Sequence, residues 1–226
     1  MAVIRQDDFI DSVADALQFI SYYHPLDFVK AVNDAYEREQ NPAARDAMAQ
    51  ILINSQMCAE GHRPICQDTG IVTVFLKIGM NVQWDAKMSV TDMVNEGVRR
   101  AYTHPDNVLR ASILEDPAGA RRNTKDNTPA VIHMEVVEGD TVDVQVAAKG
   151  GGSENKSKMV MLNPSDSIVD WVTKTVPTMG AGWCPPGMLG IGIGGTAEKA
   201  AVMAKEVLMH PIDIHELRER GPGNRI

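Results

Sequence analysis

The chain has 226 residues, with 22 Lys+Arg against 30 Asp+Glu and a formal net charge of −8. Its 44% hydrophobic and 23% charged residues exclude wholesale disorder, and the negative balance argues against non-specific nucleic-acid binding, which needs clustered Lys and Arg. No apolar run approaches the ~18–20 residues of a membrane span, and the start MAVIRQDDFID lacks an apolar signal core. The expectation is a cytoplasmic protein with neither a membrane nor a nucleic acid as partner.

Ile10, Val13, Leu17 and Ile20 follow steps of three, four and three, so a helix is expected from about residue 7, capped by Asp7 or Asp8. His24-Pro25 ends it, because the residue before proline is pushed out of helical geometry. Phe28, Val32 and Tyr36, four apart, mark a second helix. Asn41-Pro42 starts a third, with Ala44, Met48, Ile51 and Leu52 on one face and Gly61 as its stop. IVTVFLKIG at 71–79 is β-branched and apolar, the pattern of a buried strand. A helix follows from Ser89 to about Tyr102. AVIHMEVV and TVDVQVAAK, joined across Glu138-Gly139-Asp140, read as a β-hairpin, with Val142, Val144 and Val146 alternating against polar neighbours. SIVDWVTKTV reads as a helix, GMLGIGIGG as a glycine-punctuated strand and TAEKAAVMAKEVLM as a final helix. The tail HELRERGPGNRI is polar and offers no closing element. The fold class is α+β: one domain over 1–226, with a helical N-terminal layer at 1–61 and a mixed β-sheet flanked by helices at 62–209.

Four loop stretches carry more chemistry than loops need. HRPICQDTG at 62–70 sets Cys66 beside the amide of Gln67, the carboxylate of Asp68 and the hydroxyl of Thr69, with Gly70 turning into the strand. A plain turn would need only Asp-Thr-Gly. AAKGGGSENK at 147–156 has three consecutive glycines, which suit close approach of a ligand. Lys149, Ser153, Asn155 and Lys156 surround them, so the stretch fits either an anion or a flexible surface loop. It is no P-loop, because GxxxxGK[ST] is absent. In GWCPPGMLGIGIGGTAEK at 182–199, Cys184-Pro185 resembles the thiolate–proline junctions of iron–sulfur ligands. GIGIGG there does not match the dinucleotide spacing GxGxxG. In THPDNVLRAS at 103–112, Arg110 suits either a substrate carboxylate or a surface ion pair. Cys58 sits at a helical position and reads as packing. His62 and His133 form no metal-spaced cluster.

PICQDTG, NVLRAS, AAKGGGSENK and CPP…GIGGTAEK, in that order along nearly the whole chain, resemble the class I fumarase family. These are oxygen-sensitive iron–sulfur hydro-lyases that include two-subunit fumarases and L-tartrate dehydratase. The resemblance implies a [4Fe–4S] cluster held by three cysteines, with Cys66 and Cys184 as two of them. It implies Gln67 and Asp68 facing the substrate, Asp68 catalytic, Arg110 on a substrate carboxylate, and Gly150 contacting substrate through its backbone. The third cluster cysteine and the C-terminal domain or β subunit have no counterpart here, so the chain alone is expected to hold a cluster poorly and turn over little. The expected partners are a small dicarboxylate, that missing part, and copies of the chain itself as a homo-oligomer. L-malate/fumarate interconversion leads, with an L-tartrate dehydratase α subunit as the alternative. A non-catalytic anion- or nucleotide-binding domain is the reading from another class.

Overall fold

The helical spacing at the N-terminus translates directly into burial. The computed structural model describes residues 3–184 and 186–221. A short strand, β1 (Val3–Arg5), leads into α1 (Gln6–Tyr22), whose Ile10, Val13 and Leu17 are buried. The cap differs from expectation: Arg5 holds that position without a side-chain bond. Asp7 and Asp8 instead lie in the first turn, where negative charge suits the helix dipole and Asp8 pairs with Arg5 at 2.7 Å. His24-Pro25 separates α1 from α2 (Leu26–Arg38). The side chain of Asn41 accepts from the N–H groups of Ala43 and Ala44 and so caps α3 (Pro42–Gly61).

The apolar run becomes β2 (Ile71–Gly79), buried from Val72 through Leu76. After it come β3 (Gln83–Asp85), which pairs in parallel with β1, and α4 (Val90–Tyr102). Ser89 caps α4 through its hydroxyl, which accepts from Asp92 N–H. Helices α1 and α4 cross at Gly97, where a Cβ would stand 2.8 Å from Ile10 O and Val13 Cβ. Only glycine lets the two backbones approach so closely. A small antiparallel ribbon, β4 (Leu114–Glu115) with β5 (Arg122–Asn123), precedes β6 (Val131–Val137) and β7 (Val142–Lys149).

The expected hairpin is not there. Strands β6 and β7 form, but β2 lies between them in the order β6-β2-β7, with β6 parallel to β2. The link between them passes across the end of β2, where Met80 and Asn81 N–H donate to Val137 O and Gly139 O at 2.9 Å each. Gly79 N–H donates to Thr141 O at 2.9 Å, and its missing side chain leaves room for Gly139. The inward alternation held: Val142, Val144 and Val146 pack on the core. What decided the topology is that β2, apolar on both faces, takes the central place that either flanking strand would leave half exposed.

The remaining elements are α5 (Gly151–Glu154), α6 (Ile168–Thr175), α7 (Ala197–Glu206) and α8 (Ile214–Arg220), with short 3₁₀ turns after α6 and α7. Two further expectations fail. GMLGIGIGG is not a strand: Gly190 and Gly192 lie against the backbone of α7, where a Cβ on either would collide with Ala204 O or Ala200 O. The tail does contain an element, since Asp213 accepts from the N–H groups of His215 and Glu216 and caps α8. Pro185, which followed Cys184 in the junction noted above, lies outside the described residues. The architecture is α+β with a mixed set of sheets flanked by helices.

Two compact units result, one of Met1–Ala148 with His210–Ile226, the other of Lys149–Met209. The first holds the core of α1, β2 and α4 side chains. Its returning tail is tied to α2 by Ile212 N–H donating to Asp27 Oδ2 at 2.8 Å. No helix among the described residues is long and apolar enough to cross a membrane.

Candidate active site

In the first unit, residues 62–70 lead from α3 into β2, and their path is held from outside at each step. His62 caps α3 in the left-handed region (φ 47°), its ring stacked on Tyr22 and bonded to Tyr23 Oη at 2.9 Å. Ile65 N–H donates to Ser21 O at 2.8 Å, and Asn54 Nδ2 donates to Ile65 O at 3.0 Å. Cys66 follows, its exposed Sγ accepting Asp68 N–H at 3.4 Å and donating to Gln67 Oε1 at 3.5 Å. Asp68 Oδ1 accepts Gly70 N–H at 3.2 Å. Gly70, at φ 82°, then turns into β2.

The segment after α4 lies alongside. Thr69 Oγ1 donates to Arg110 O at 2.5 Å. Asn107 is buried; it receives a bond from Gln18 Nε2 on its carbonyl at 3.1 Å and returns one from Nδ2 to Gln18 Oε1 at 2.8 Å. Leu109 is buried and Arg110 exposed. Cys66, Gln67, Asp68 and Arg110 thus belong to two chain segments pinned together at the start of β2.

Beneath those segments lie two residues that the sequence did not single out. Tyr102, at the end of α4, donates its hydroxyl to Thr69 O at 2.6 Å. Burial pushes its pKa up to about 12, so it remains a donor at any physiological pH. Asn127 is completely buried and donates to Gly70 O at 3.0 Å. The only signal was the polar run NTKDN at 123–127, dense in residues that bond to backbone.

The second unit groups the other two stretches. Gly150 precedes α5. Ser153 Oγ donates to Trp183 O at 3.4 Å, and a Cβ on Gly152 would collide with Gly182 O, so the glycine run and the Cys184 turn touch. Cys184 is exposed in the left-handed region (φ 59°). Lys149 and Lys205 both hold Glu154, at 3.2 and 2.8 Å. Burial pushes the Glu154 carboxyl up, but the bonds from Lys205 and Lys149 outweigh it and keep it below its usual range. Lys149 is therefore engaged by a carboxylate of its own loop, which weakens the reading of KGGGS as a phosphate cradle.

A family model, fumarate hydratase (Fumerase), matches residues 10–221. The chain belongs to the Fumerase family. A relative from Methanocaldococcus jannaschii, "Putative L(+)-tartrate dehydratase subunit alpha", is 34% identical over 210 residues, covering 89% of this chain and 72% of the relative. The "L(+)-tartrate dehydratase subunit alpha" of Escherichia coli (strain UTI89 / UPEC) is 26% identical over 203 residues, covering 88% and 66%. That of strain K12 is 25% identical over the same length. The chain thus spans 66–72% of these Fumerase relatives.

The three thiols differ in whether they could ligate a metal. Cys66 and Cys184 are exposed, and Cys66 Sγ receives a backbone N–H, the kind of bond that stabilises a ligating thiolate. Cys58 does not fit: it is buried, its Sγ donating to Asn54 Oδ1 at 3.6 Å and Pro64 O at 3.7 Å. Among the described residues no three His, Cys, Asp or Glu are gathered for a metal.

Proposed function

We propose that this chain is part of a hydro-lyase that interconverts L-malate and fumarate by reversible loss of water. Family membership supports the reaction class. The structural observation that carries it is the Thr69–Arg110 bond, which lays the Cys66-Gln67-Asp68 loop along the Arg110 segment. In this reading Cys66 and Cys184 are ligands of a [4Fe–4S] cluster. Its third thiolate comes from outside the chain, since Cys58 is committed to packing. When bound, the cluster supplies a Lewis-acidic iron that polarises a substrate oxygen.

The chain's own residues bind and orient. Arg110 offers paired N–H donors to a substrate carboxylate. Gln67 and the backbone of Gly150 contact the rest of the dicarboxylate. Asp68, whose Oδ1 accepts the Gly70 N–H, faces the substrate as the catalytic carboxylate. The base that takes the carbon-bound proton lies on the C-terminal domain or β subunit, the partner in this reading. The enzyme works in the cytoplasm as a homo-oligomer.

A second reading, an L-tartrate dehydratase α subunit, is favoured by the names of the relatives. The two substrates differ by one hydroxyl on the carbon chain. Anaerobic assays with malate and with tartrate, on the chain alone and with the partner supplied, decide between them. Little turnover is expected from the chain alone, and fumarate hydration by the purified 226-residue chain would contradict the need for a partner. Failure to dehydrate either hydroxy acid with the partner present would contradict the function.

A further inference from the structure

The sequence-picked groups Cys66, Asp68 and Arg110 lie on loops, and loops drift unless something fixes them. One side chain reaches both loops at once. Asn127 is 0% exposed; its Nδ2 donates to Gly70 O at 3.0 Å, while its Oδ1 accepts from Ser112 N–H at 2.7 Å and Ile113 N–H at 3.3 Å. Both of its ends are thus spent on main chain: one on the turn that follows Asp68, the other on the residues just after Arg110. The neighbouring residues fasten the same two places. Tyr102 Oη donates to Thr69 O at 2.6 Å, Asn123 Nδ2 donates to Ala111 O at 2.8 Å, and Thr124 N–H donates to Ile113 O at 3.0 Å.

The backbone here is unusual too. Arg121, Lys125 and Asn127 take φ values of 51°, 72° and 61°, conformations that cost energy in residues other than glycine and persist only where surroundings enforce them. The enforcement is visible. Asp126 receives Thr128 N–H and Oγ1 on one oxygen and Arg99 Nε on the other, and Asn123 Oδ1 receives Lys125 N–H. Asn123, Asp126 and Asn127 together make eight side-chain hydrogen bonds, four of which reach Gly70 or the segment 111–113.

We propose that Asn127, assisted by Tyr102, is a positioning residue that sets the Cys66–Gly70 loop against the Arg110–Ile113 segment. It makes no contact with substrate; it acts through Gly70 O and the Ser112 and Ile113 amides. This rests on the functional reading above for its catalytic meaning, but its mechanical content stands apart and is tested without turnover.

The variants are Asn127→Asp, Asn127→Gly and Tyr102→Phe. The Asp variant keeps an acceptor for Ser112 and Ile113 but sets a carboxylate oxygen against Gly70 O. The Gly variant removes both ends and tolerates φ 61° without strain. Amide hydrogen exchange and iodoacetamide labelling of the purified chain are the readouts, with Cys184 as the reference thiol. In Asn127→Asp, exchange at Asp68 and Gly70 is expected to rise about tenfold, the scale of one buried hydrogen bond, while Val74 and Leu76 in β2 stay protected. The Cys66-to-Cys184 labelling ratio changes with it. Asn127→Gly extends the rise to Ser112 and Ile113, and Tyr102→Phe gives a smaller rise at Gly70 alone. Unchanged exchange at Asp68 and Gly70 in a folded Asn127→Asp or Asn127→Gly protein would overturn the proposal. So would a uniform rise that includes β2, which marks a role in stability only. Should both Asn127 variants fail to fold, Tyr102→Phe decides: no change at Gly70 overturns it. Failure of the hydro-lyase reading, by contrast, shows as absent turnover while these local changes persist.

Discussion

The two units hold themselves together differently. In the first, Ile10, Val13, Leu17, Leu76, Met93 and Val98 close a core around α1, β2 and α4. In the second, no described residue is buried, and Met159, Met161, Val169 and Leu189 remain exposed. Its internal contacts are instead close glycine approaches and the Lys149–Glu154–Lys205 ion pairs. The first unit therefore has the apolar burial that carries a fold, and the second has mainly specific polar and steric contacts. Four of the candidate site residues sit on the sealed unit, and Gly150 and Cys184 sit on the open one.

Core truncation separates the two most strongly. Leu76→Ala should lower the unfolding free energy by about 2–5 kcal/mol, whereas Met161→Ala should stay within ~0.5 kcal/mol, both read by chemical denaturation. Similar losses at the two positions would erase the contrast. Gly97→Ala should cost about 1–3 kcal/mol, because its methyl meets Ile10 O and Val13 at the α1–α4 crossing.

Acid gives the smallest and most local difference. Burial lowers the pKa of His24, whose Nδ1 lies 3.1 Å from Ser55 Oγ. The neutral ring is thus favoured in the fold: its contribution is complete above about 6.5, the unfolded value, and is lost as pH falls through the lower folded one. Glu154 is also lowered, so its contribution is complete above about 4.5 and is lost at lower pH still. On acidification, exchange in α2 and α3 should therefore rise before exchange in α5. His24→Asn should abolish the early phase, and the opposite order would contradict these assignments.

The helices of the first unit were readable because each is wetted on one face and buried on the other, which prints a 3.6-residue period on the sequence. Strand β2 was readable because both its faces are buried. The partner of β6 was not, since the alternation of Val142, Val144 and Val146 is the same whichever strand lies beside it. Strands of two or three residues, such as β1, β3, β4 and β5, are too short to show a period. In 188–193 the apolar and β-branched residues suggested a strand, but Gly190 and Gly192 serve contact with α7 instead. The cap of α8 was missed although Asp213 stands three residues before Glu216, a spacing that marks helix starts.

Cys66, Gln67 and Asp68 stood out because reactive side chains are dense there, and Arg110 as a lone arginine just beyond a helix end. Asn127 and Tyr102 did not, because what they bind is main chain: Asn127 reaches Gly70 O across 57 positions and Tyr102 reaches Thr69 O across 33. A partner that any residue type would supply leaves no mark in the sequence.

The thiolate assignment is tested most directly by iron and sulfide content after anaerobic reconstitution, with the C-terminal part or β subunit supplied. Wild-type and Cys58→Ser protein should turn brown and bleach in air, while Cys66→Ser and Cys184→Ser should each lose most of the colour and iron. Full colour in Cys66→Ser or Cys184→Ser, or its loss in a folded Cys58→Ser protein, would contradict the account.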